Sequence, residues 1–199
     1  GLFEAVPELD DDTAEGREAR AVASPYLDGH ARREFNIPGV TFGGRYDGSP
    51  LIVGDGTPPP ADQANAYAPT ACPGGRPPHA WLDEQTSLFD RFGFEWTLLW
   101  LDDDHALAPV AEAFSQAARQ QGATLELLHL PRADLRALYE APMALIRPDH
   151  IVAWRGGANV DAHAVMRTAL GWGMPAAHPA ANLDAHLNEQ PAPPARRPA

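Results

Sequence analysis

The sequence has 199 residues, a formal net charge of −12 and a hydrophobic fraction of 44%. This length suits one domain with attached segments, and the composition is that of a folded protein rather than a disordered one. The negative charge repels phosphate backbones, which excludes nucleic acid as an expected partner, and no apolar run reaches the roughly 18 residues that a membrane helix needs.

Residues 1–37 are predicted to be helical and acidic, and they begin with Gly1 rather than methionine. Leu27, Ala31 and Phe35 repeat every four residues, which places them on one face of a helix. The segment is too weakly apolar to form a core of its own. We therefore interpret residues 1–37 as the helical remnant of a preceding domain and expect the chain to be a piece of a longer protein.

Residues 38–78 form a predicted connector that is rich in proline and glycine, with one short extended piece at 49–53. Long segments of this kind seldom stand alone in a compact domain and more often wrap a neighbour. Residues 174–199 are rich in proline and alanine, a composition typical of a disordered tail.

Residues 79–173 alternate between strand and helix patterns. Predicted strands cover 79–82, 95–101, 124–130, 143–148 and 151–156, and predicted helices cover 107–121, 134–140 and 160–172. A strand–helix–strand crossover joins parallel strands, and a hairpin then adds an antiparallel edge. The fold class is therefore predicted to be α/β: a thioredoxin-like mixed sheet flanked by helices and preceded by the helical segment and the connector.

Several residues are predicted to mark the ends of these elements. Asp104 and Asn159 are candidate N-caps, and Gly122 ends the first helix of the domain. The dipeptide Asp149-His150 is predicted to form the two-residue turn of the hairpin, with His150 exposed to solvent.

Thioredoxin-type chemistry needs a CxxC motif where the first helix follows the core strand, because the helix N-terminus depresses the pKa of the thiol. That position holds Asp102, Asp103, Asp104 and His105, so it offers no sulfur and three carboxylates that would oppose a thiolate. Disulfide exchange is excluded at this position. A peroxiredoxin, whose chains approach the core strand in a similar way, would need its peroxidatic cysteine in the same place.

Cys72 is the only cysteine, which rules out an internal disulfide and fits a reducing cytoplasm. A nucleophilic pair of Cys72 and His79, as in a peroxidase, is the less favoured reading of a loop cysteine that has no assigned base. The histidines lack zinc-site spacing, the adjacent aspartates point in different directions, and no GxGxxG opens a helix. The sequence thus predicts no catalytic, metal-binding or cofactor-binding residue in this chain.

Several segments resemble the C-terminal region of FAD-dependent aromatic-ring monooxygenases of the para-hydroxybenzoate and phenol hydroxylase superfamily, especially the 3-(3-hydroxyphenyl)propionate hydroxylase type. The matching segments are GGRYDGSPLIV (43–53), DGTPPP (55–60), PTACPGGRPPHAWL (69–82), SLFDRFG (87–93), TLLWL (97–101) and LYEAPMALIRPDHIVAWRG (138–156). One departure is Pro142, where these hydroxylases are expected to have a small residue; whether its peptide bond is cis or trans is left open.

The resemblance implies a parent protein that uses FAD, NAD(P)H and O₂ to hydroxylate a phenolic or related aromatic ring. The family's three flavin motifs are missing here, so the resemblance implies no cofactor on this chain, which would have a structural or oligomerisation role. Its expected partners are the N-terminal FAD-binding and substrate-binding part of the same protein and a second copy in a homodimer. Arg76, His79 and Trp81 are the candidate residues at the contact with the flavin domain, because arginine and aromatic side chains are enriched at interfaces.

The alternative is a free-standing, redox-inactive thioredoxin-like module for binding or dimerisation. The two hypotheses differ in what they predict for residues 1–80, which have helix faces and loops but no evident core. In a larger enzyme these residues would have a partner to cover, whereas in a free module they are expected to be largely disordered.

Overall fold

The computed structural model of the chain describes residues 7–172. Its α-helices are α1 (Ala14–Phe35), α2 (Pro38–Phe42), α3 (Ala108–Gln120), α4 (Ala133–Tyr139) and α5 (Ala162–Ala169), and its strands are β1 (Trp96–Trp100), β2 (Leu125–His129), β3 (Met143–Ile146) and β4 (Val152–Gly156). The tail predicted at 174–199 lies outside the described residues.

The four strands form one mixed sheet in the order β2-β1-β3-β4. β1 pairs with β2 in parallel, and the crossover between them runs through α3. β3 is antiparallel to both β1 and β4. This parallel unit followed by a hairpin confirms the predicted α/β fold class.

The core lies in two layers, because successive residues of a strand face opposite sides of the sheet. Leu98 of β1 packs on the side covered by α3 and α5, together with Phe114 and Met166. Its neighbour Leu99 packs on the other side with Leu135 of α4. Every residue of β1 is buried, as the apolar run in the sequence predicted.

The prediction of a strand at 79–82 is wrong. Only an isolated bridge joins Trp81 to Ser87, and it is flanked by the hydrogen bonds from Leu82 N–H to Thr86 O (2.9 Å) and from Leu88 N–H to Ala80 O (2.9 Å). These bonds close a local loop and do not add a strand to the sheet. The two prolines just before this loop lack the N–H groups that a longer ladder would need.

The hairpin between β3 and β4 is confirmed, but its connection is longer than the predicted two residues. It spans residues 147–151 and is closed by a hydrogen bond from Arg147 N–H to Ile151 O (2.9 Å). His150 takes up a left-handed backbone conformation with φ 57°. The Pro142 peptide bond before β3 is trans, as are the other peptide bonds of residues 7–172.

The N-cap prediction is correct for one helix and wrong for another. Asp104 accepts a hydrogen bond from Ala106 N–H and caps the short 3₁₀ turn that leads into α3. The last helix is shorter than predicted, and its N-cap is Asp161, which accepts from Ala164 N–H, instead of Asn159. The physical reason is that the Asp161 carboxylate reaches the N–H of the third helical residue, which is the usual capping geometry.

The connector covers the outer edge of β4 with backbone hydrogen bonds. Val53 N–H donates to Ala153 O at 2.8 Å, and Gly74 N–H donates to Val152 O at 2.8 Å. Most of the piece predicted to be extended at 49–53 is a turn, and only its last residue bonds to β4. A sheet edge left open is a site for unwanted strand pairing, so the connector also protects the domain.

Helix α1 is almost uncovered within the described residues. Thr13 caps it by accepting from Gly16 N–H at 3.1 Å, and Gly16 is its only buried residue. Val22 is 74% exposed and Phe35 76% exposed. None of the helices between residues 7 and 172 has both the length and the hydropathy required to cross a membrane.

Candidate interface around Arg76, His79 and Trp81

The position of the thioredoxin cysteine is an acidic turn, as predicted. It directly follows β1, and Asp102 Oδ1 accepts from Asp104 N–H at 3.0 Å while Asp104 Oδ1 accepts from Ala106 N–H at 2.9 Å. Both carboxylates therefore have a structural role, since each accepts a backbone hydrogen bond that holds the turn or caps the helix that follows. The arrangement holds the backbone at the start of the helical turn and offers no nucleophile.

Cys72 lies elsewhere and is buried, with 3% of its surface exposed. Its Sγ lies 3.7 Å from Thr57 O and 3.8 Å from Pro73 O. Burial raises the pKa of this thiol and outweighs the opposing charge of Arg155, so the reactive thiolate is disfavoured. The structure does not pair Cys72 with His79, whose ring packs against other aromatic rings.

The three residues predicted for an interface lie close together, with Phe89 in contact with Arg76 and His79 and with Trp81 beside His79. The guanidinium carbon of Arg76 lies 5.2 Å from the centre of the Phe89 ring. The His79 ring is stacked on Phe89 with centroids 6.0 Å apart, and it meets the edge of Trp81 at 5.1 Å. We call this set of four side chains the Arg76 cluster.

His150 extends the Arg76 cluster, and the prediction of an exposed turn residue is wrong for it. Its ring contacts Phe89 at a centroid distance of 5.3 Å and Phe92 at 5.6 Å. The left-handed backbone at His150 directs the chain so that this ring reaches the cluster. Burial, reinforced by the nearby Arg76 charge, lowers the pKa of His150, which favours its neutral form.

Aromatic residues of the connector form the opposite wall of an open groove. Phe42 and Tyr67 contact each other there with ring centroids 5.9 Å apart. Burial raises the pKa of the Tyr67 phenol, while the charge of Arg76 acts in the opposite direction. The groove is lined by Phe42, Tyr67, Arg76, Pro77, His79, Ser87, Phe89, Asp90 and His150.

Arg155 is a buried charged residue that the sequence did not single out. It is 5% exposed, and its guanidinium donates to Asp55 at 2.7 Å, to Glu140 at 2.8 Å and to Thr57 at 3.1 Å. Burial acts to raise the pKa of Asp55, but the hydrogen bonds from Arg155 and Thr57 outweigh it and the pKa lies below its usual value. An arginine inside the buried strand VAWRG was the available signal, because such a charge requires a partner.

The turn after β1 does not fit the pyrophosphate of FAD. The turn after β1, where dinucleotide-binding sheets hold phosphate on a helix N-terminus, carries three adjacent carboxylates, at Asp102, Asp103 and Asp104. Negative side chains at this place repel a phosphate. Across residues 7–172, no group of three or more His, Cys, Asp or Glu side chains is placed to hold a metal ion.

Comparison with known proteins gives one matching family model, described as "Aromatic-ring hydroxylase, C-terminal", over residues 70–174. The FAD-dependent monooxygenase apdD of Emericella nidulans is 31% identical over 160 residues, which are 78% of this chain and 25% of that protein. The 2,4-dichlorophenol 6-monooxygenase of Delftia acidovorans is 31% identical over 75% of this chain and 28% of its own length. The chain thus spans about a quarter of the length of these two relatives.

Solved structures of flavin-containing enzymes also match most of this chain. The rebeccamycin biosynthetic enzyme RebC with reduced flavin matches with a TM-score of 0.67 and 34% identity, over 86% of this chain and 31% of RebC. The flavin-dependent monooxygenase PieE in complex with FAD and substrate matches with a TM-score of 0.63 and 31% identity, over 84% of this chain and 32% of PieE.

Proposed function

The chain belongs to the aromatic-ring hydroxylase C-terminal family, and from this membership we propose that it is the C-terminal part of an FAD-dependent monooxygenase that hydroxylates a phenolic or related aromatic ring. The parent protein uses FAD, NAD(P)H and O₂. The observation that carries this proposal is the family match over residues 70–174, together with relatives that are FAD-dependent monooxygenases. FAD supplies the oxygen chemistry when it is bound in the preceding part of the parent.

We propose that this part of the enzyme is structural and not catalytic. The acidic turn after β1 supports this, because it replaces the reactive cysteine of the thioredoxin fold with Asp102, Asp103 and Asp104. The burial of Cys72 supports it as well, since a protonated thiol is a poor nucleophile. The chemistry then belongs to the flavin-binding part, and this chain stabilises that part from outside.

Two surfaces support a contact with the flavin-binding part. One is α1, where Leu27 and Phe35 lie on one face and are 51% and 76% exposed. The other is the Arg76 cluster, where Trp81 is 60% exposed. Large exposed apolar side chains that are grouped on a surface mark interaction sites. In the parent protein, which we place in the cytoplasm as a homodimer, these surfaces are covered.

The alternative is a free-standing module for binding or dimerisation. The two-layer core of the domain favours independent folding. The exposure of α1 argues against a free module, because a 22-residue helix with one buried residue gains little from tertiary packing. We therefore favour the appended domain.

The test is to express the full reading frame that contains this sequence and compare it with the 199-residue chain. The full product is expected to be yellow, to hold FAD and to oxidise NAD(P)H in response to a phenolic compound. The 199-residue chain is expected to bind no flavin. A start codon directly upstream of Gly1, or tight flavin binding by the 199-residue chain, would contradict the proposal.

A further inference from the structure

We infer that Arg76 is an anchor for a carboxylate, presented by the flavin-binding part of the parent protein beside an apolar side chain. The inference rests on the proposed function, since it names the chemistry of the partner at the same surface. Three observations carry it: the lack of an acidic partner for Arg76 within residues 7–172, the hydrogen-bonded backbone that holds it, and its position as the one arginine in the groove lining.

Arg76 differs from the other arginines around it. Arg45 lies 3.1 Å from a carboxylate oxygen of Asp47, and Arg147 lies 3.0 Å from one of Asp149, so each has an acidic partner two residues along the chain. The neighbours of Arg76 are glycine and proline, which offer none. Within residues 7–172, no carboxylate lies within ion-pair distance of its guanidinium, and the contact found there is with the Phe89 ring.

The backbone around Arg76 is fixed in place. Its N–H donates to Gly44 O at 3.0 Å, and the buried Pro77 and Pro78 follow it directly. A ring below the guanidinium leaves the N–H groups along its planar edge free to donate, and that edge matches the two oxygens of a carboxylate. Little conformational entropy is then lost when a partner binds, because the backbone is already held in place.

The net charge of the chain is −12, and Arg76 is the one arginine among the residues that line the groove. His150, in the same lining, favours its neutral form, and the one carboxylate of the lining is Asp90. Asp90 is already engaged, since its Oδ2 accepts from Ser87 N–H at 2.8 Å and so completes the cap of a short 3₁₀ helix. Charge complementarity therefore favours an acidic partner over a basic one.

The remainder of the surface is aromatic and exposed. Phe42, in the groove lining, is 48% exposed, and Trp81, which contacts the lining residue His79, is 60% exposed. A carboxylate alone would leave these rings in water. The partner that fits both features is an acidic residue with an apolar neighbour, and tryptophan and arginine are the residue types that contribute most to binding at interfaces.

The absence of lysine from the chain allows a sharp test. Arg76→Lys keeps the positive charge and introduces an amine that a carbodiimide couples to a carboxylate in contact with it. In the full-length protein, we expect mass spectrometry to find a cross-link from position 76 to an aspartate or glutamate of the flavin-binding part. The matched control is Arg91→Lys, at an exposed position on the Leu88–Arg91 helix outside the groove, which is expected to give no such cross-link.

A second variant tests how strongly the charge at position 76 stabilises the contact. Arg76→Glu in the full-length protein is expected to speed amide hydrogen exchange of the cluster residues about tenfold or more, because a repulsive pair replaces an attractive one. A cross-link to Asp90, to a second copy or to nothing, with unchanged exchange in Arg76→Glu, would overturn the inference even if the protein binds FAD and hydroxylates. A reading frame without a flavin-binding part would overturn the proposed function and the inference together.

Discussion

Arg155 and Asp55 are 100 positions apart in sequence and are joined by a 2.7 Å hydrogen bond between Nε and Oδ2. Arg155 belongs to β4 and Asp55 to the connector, so the pair ties a loop to the edge of the sheet. Glu140, at the end of α4, lies on the other side of the same guanidinium at 2.8 Å. One buried side chain thus holds three segments of the fold in register.

Replacing Arg155 with methionine is expected to destabilise the chain by about 2 kcal/mol, because the hydrogen bonds of its buried guanidinium to Asp55 and Glu140 are lost. Urea unfolding followed by circular dichroism measures this change. The control is Arg119→Met, which removes an exposed ion pair with Glu112 (2.9 Å) and is expected to cost less than about 1 kcal/mol. Equal effects of the two variants would show that Arg155 does not hold the connector.

The same pair predicts a dependence on pH. The pKa of Asp55 is lower in the folded chain than its usual value of about 3.9, so its stabilising effect is fully present above that value and is lost as the pH falls through the folded pKa. Asp55→Asn is expected to be less stable than the natural chain at pH 7, and the difference should shrink below about pH 4. A difference that stays constant from pH 7 to pH 3 would contradict this account.

The sequence predicts the parts of the fold that depend on neighbouring residues better than the parts that depend on residues far apart in the chain. The apolar run of β1 predicts a strand buried on both faces, because side-chain burial follows directly from composition. The residues at 79–82 have the same local pattern, yet they form one bridge, since strand formation there depends on a partner edge that the sequence does not reveal. Arg155 was missed for the same reason, because its partners lie 15 and 100 positions away.

The candidate interface was likewise predicted in part. Arg76, His79 and Trp81 were predicted from residue type and from the resemblance. In the structure Arg76 and His79 both contact Phe89, and Trp81 contacts His79. His150 was predicted to be exposed because its position in a turn hides how its ring is directed. A left-handed backbone conformation is uncommon for residues other than glycine, and only the folded chain shows that His150 adopts it and that its ring reaches the cluster.

His150 predicts a second dependence on pH. Its folded pKa lies below the usual value of about 6.5, so its contribution to stability is present above that value and is lost as the pH falls through the folded pKa. In His150→Asn, which tolerates a left-handed backbone, the fall in stability between pH 7 and pH 5 is expected to be shallower. An NMR titration of the His150 ring with a midpoint at or above 6.5 would contradict the prediction.

Cys72 is expected to be unreactive in the folded chain. Its thiol is buried and its pKa is raised, so a thiol reagent should label it only after unfolding. Purified chain is also expected to show no peroxide-dependent turnover, with Cys72→Ser behaving as the natural chain does. Peroxide turnover that disappears in Cys72→Ser would show instead that this loop is an active site.

Substituting Trp81 in the short chain and in the full-length protein tests whether its ring belongs to an interface or only to local packing. Its ring is 60% exposed and touches His79 at the edge, so Trp81→Ala in the 199-residue chain should change the free energy of unfolding by about 0.5 kcal/mol or less. In the full-length protein the same substitution is expected to weaken the contact with the flavin-binding part by about 2 kcal/mol, because a buried interface tryptophan contributes strongly. Limited proteolysis of the connector measures that contact, and cleavage should be faster in the variant. If both proteins respond equally to Trp81→Ala, the ring is only part of local packing and the interface lies elsewhere.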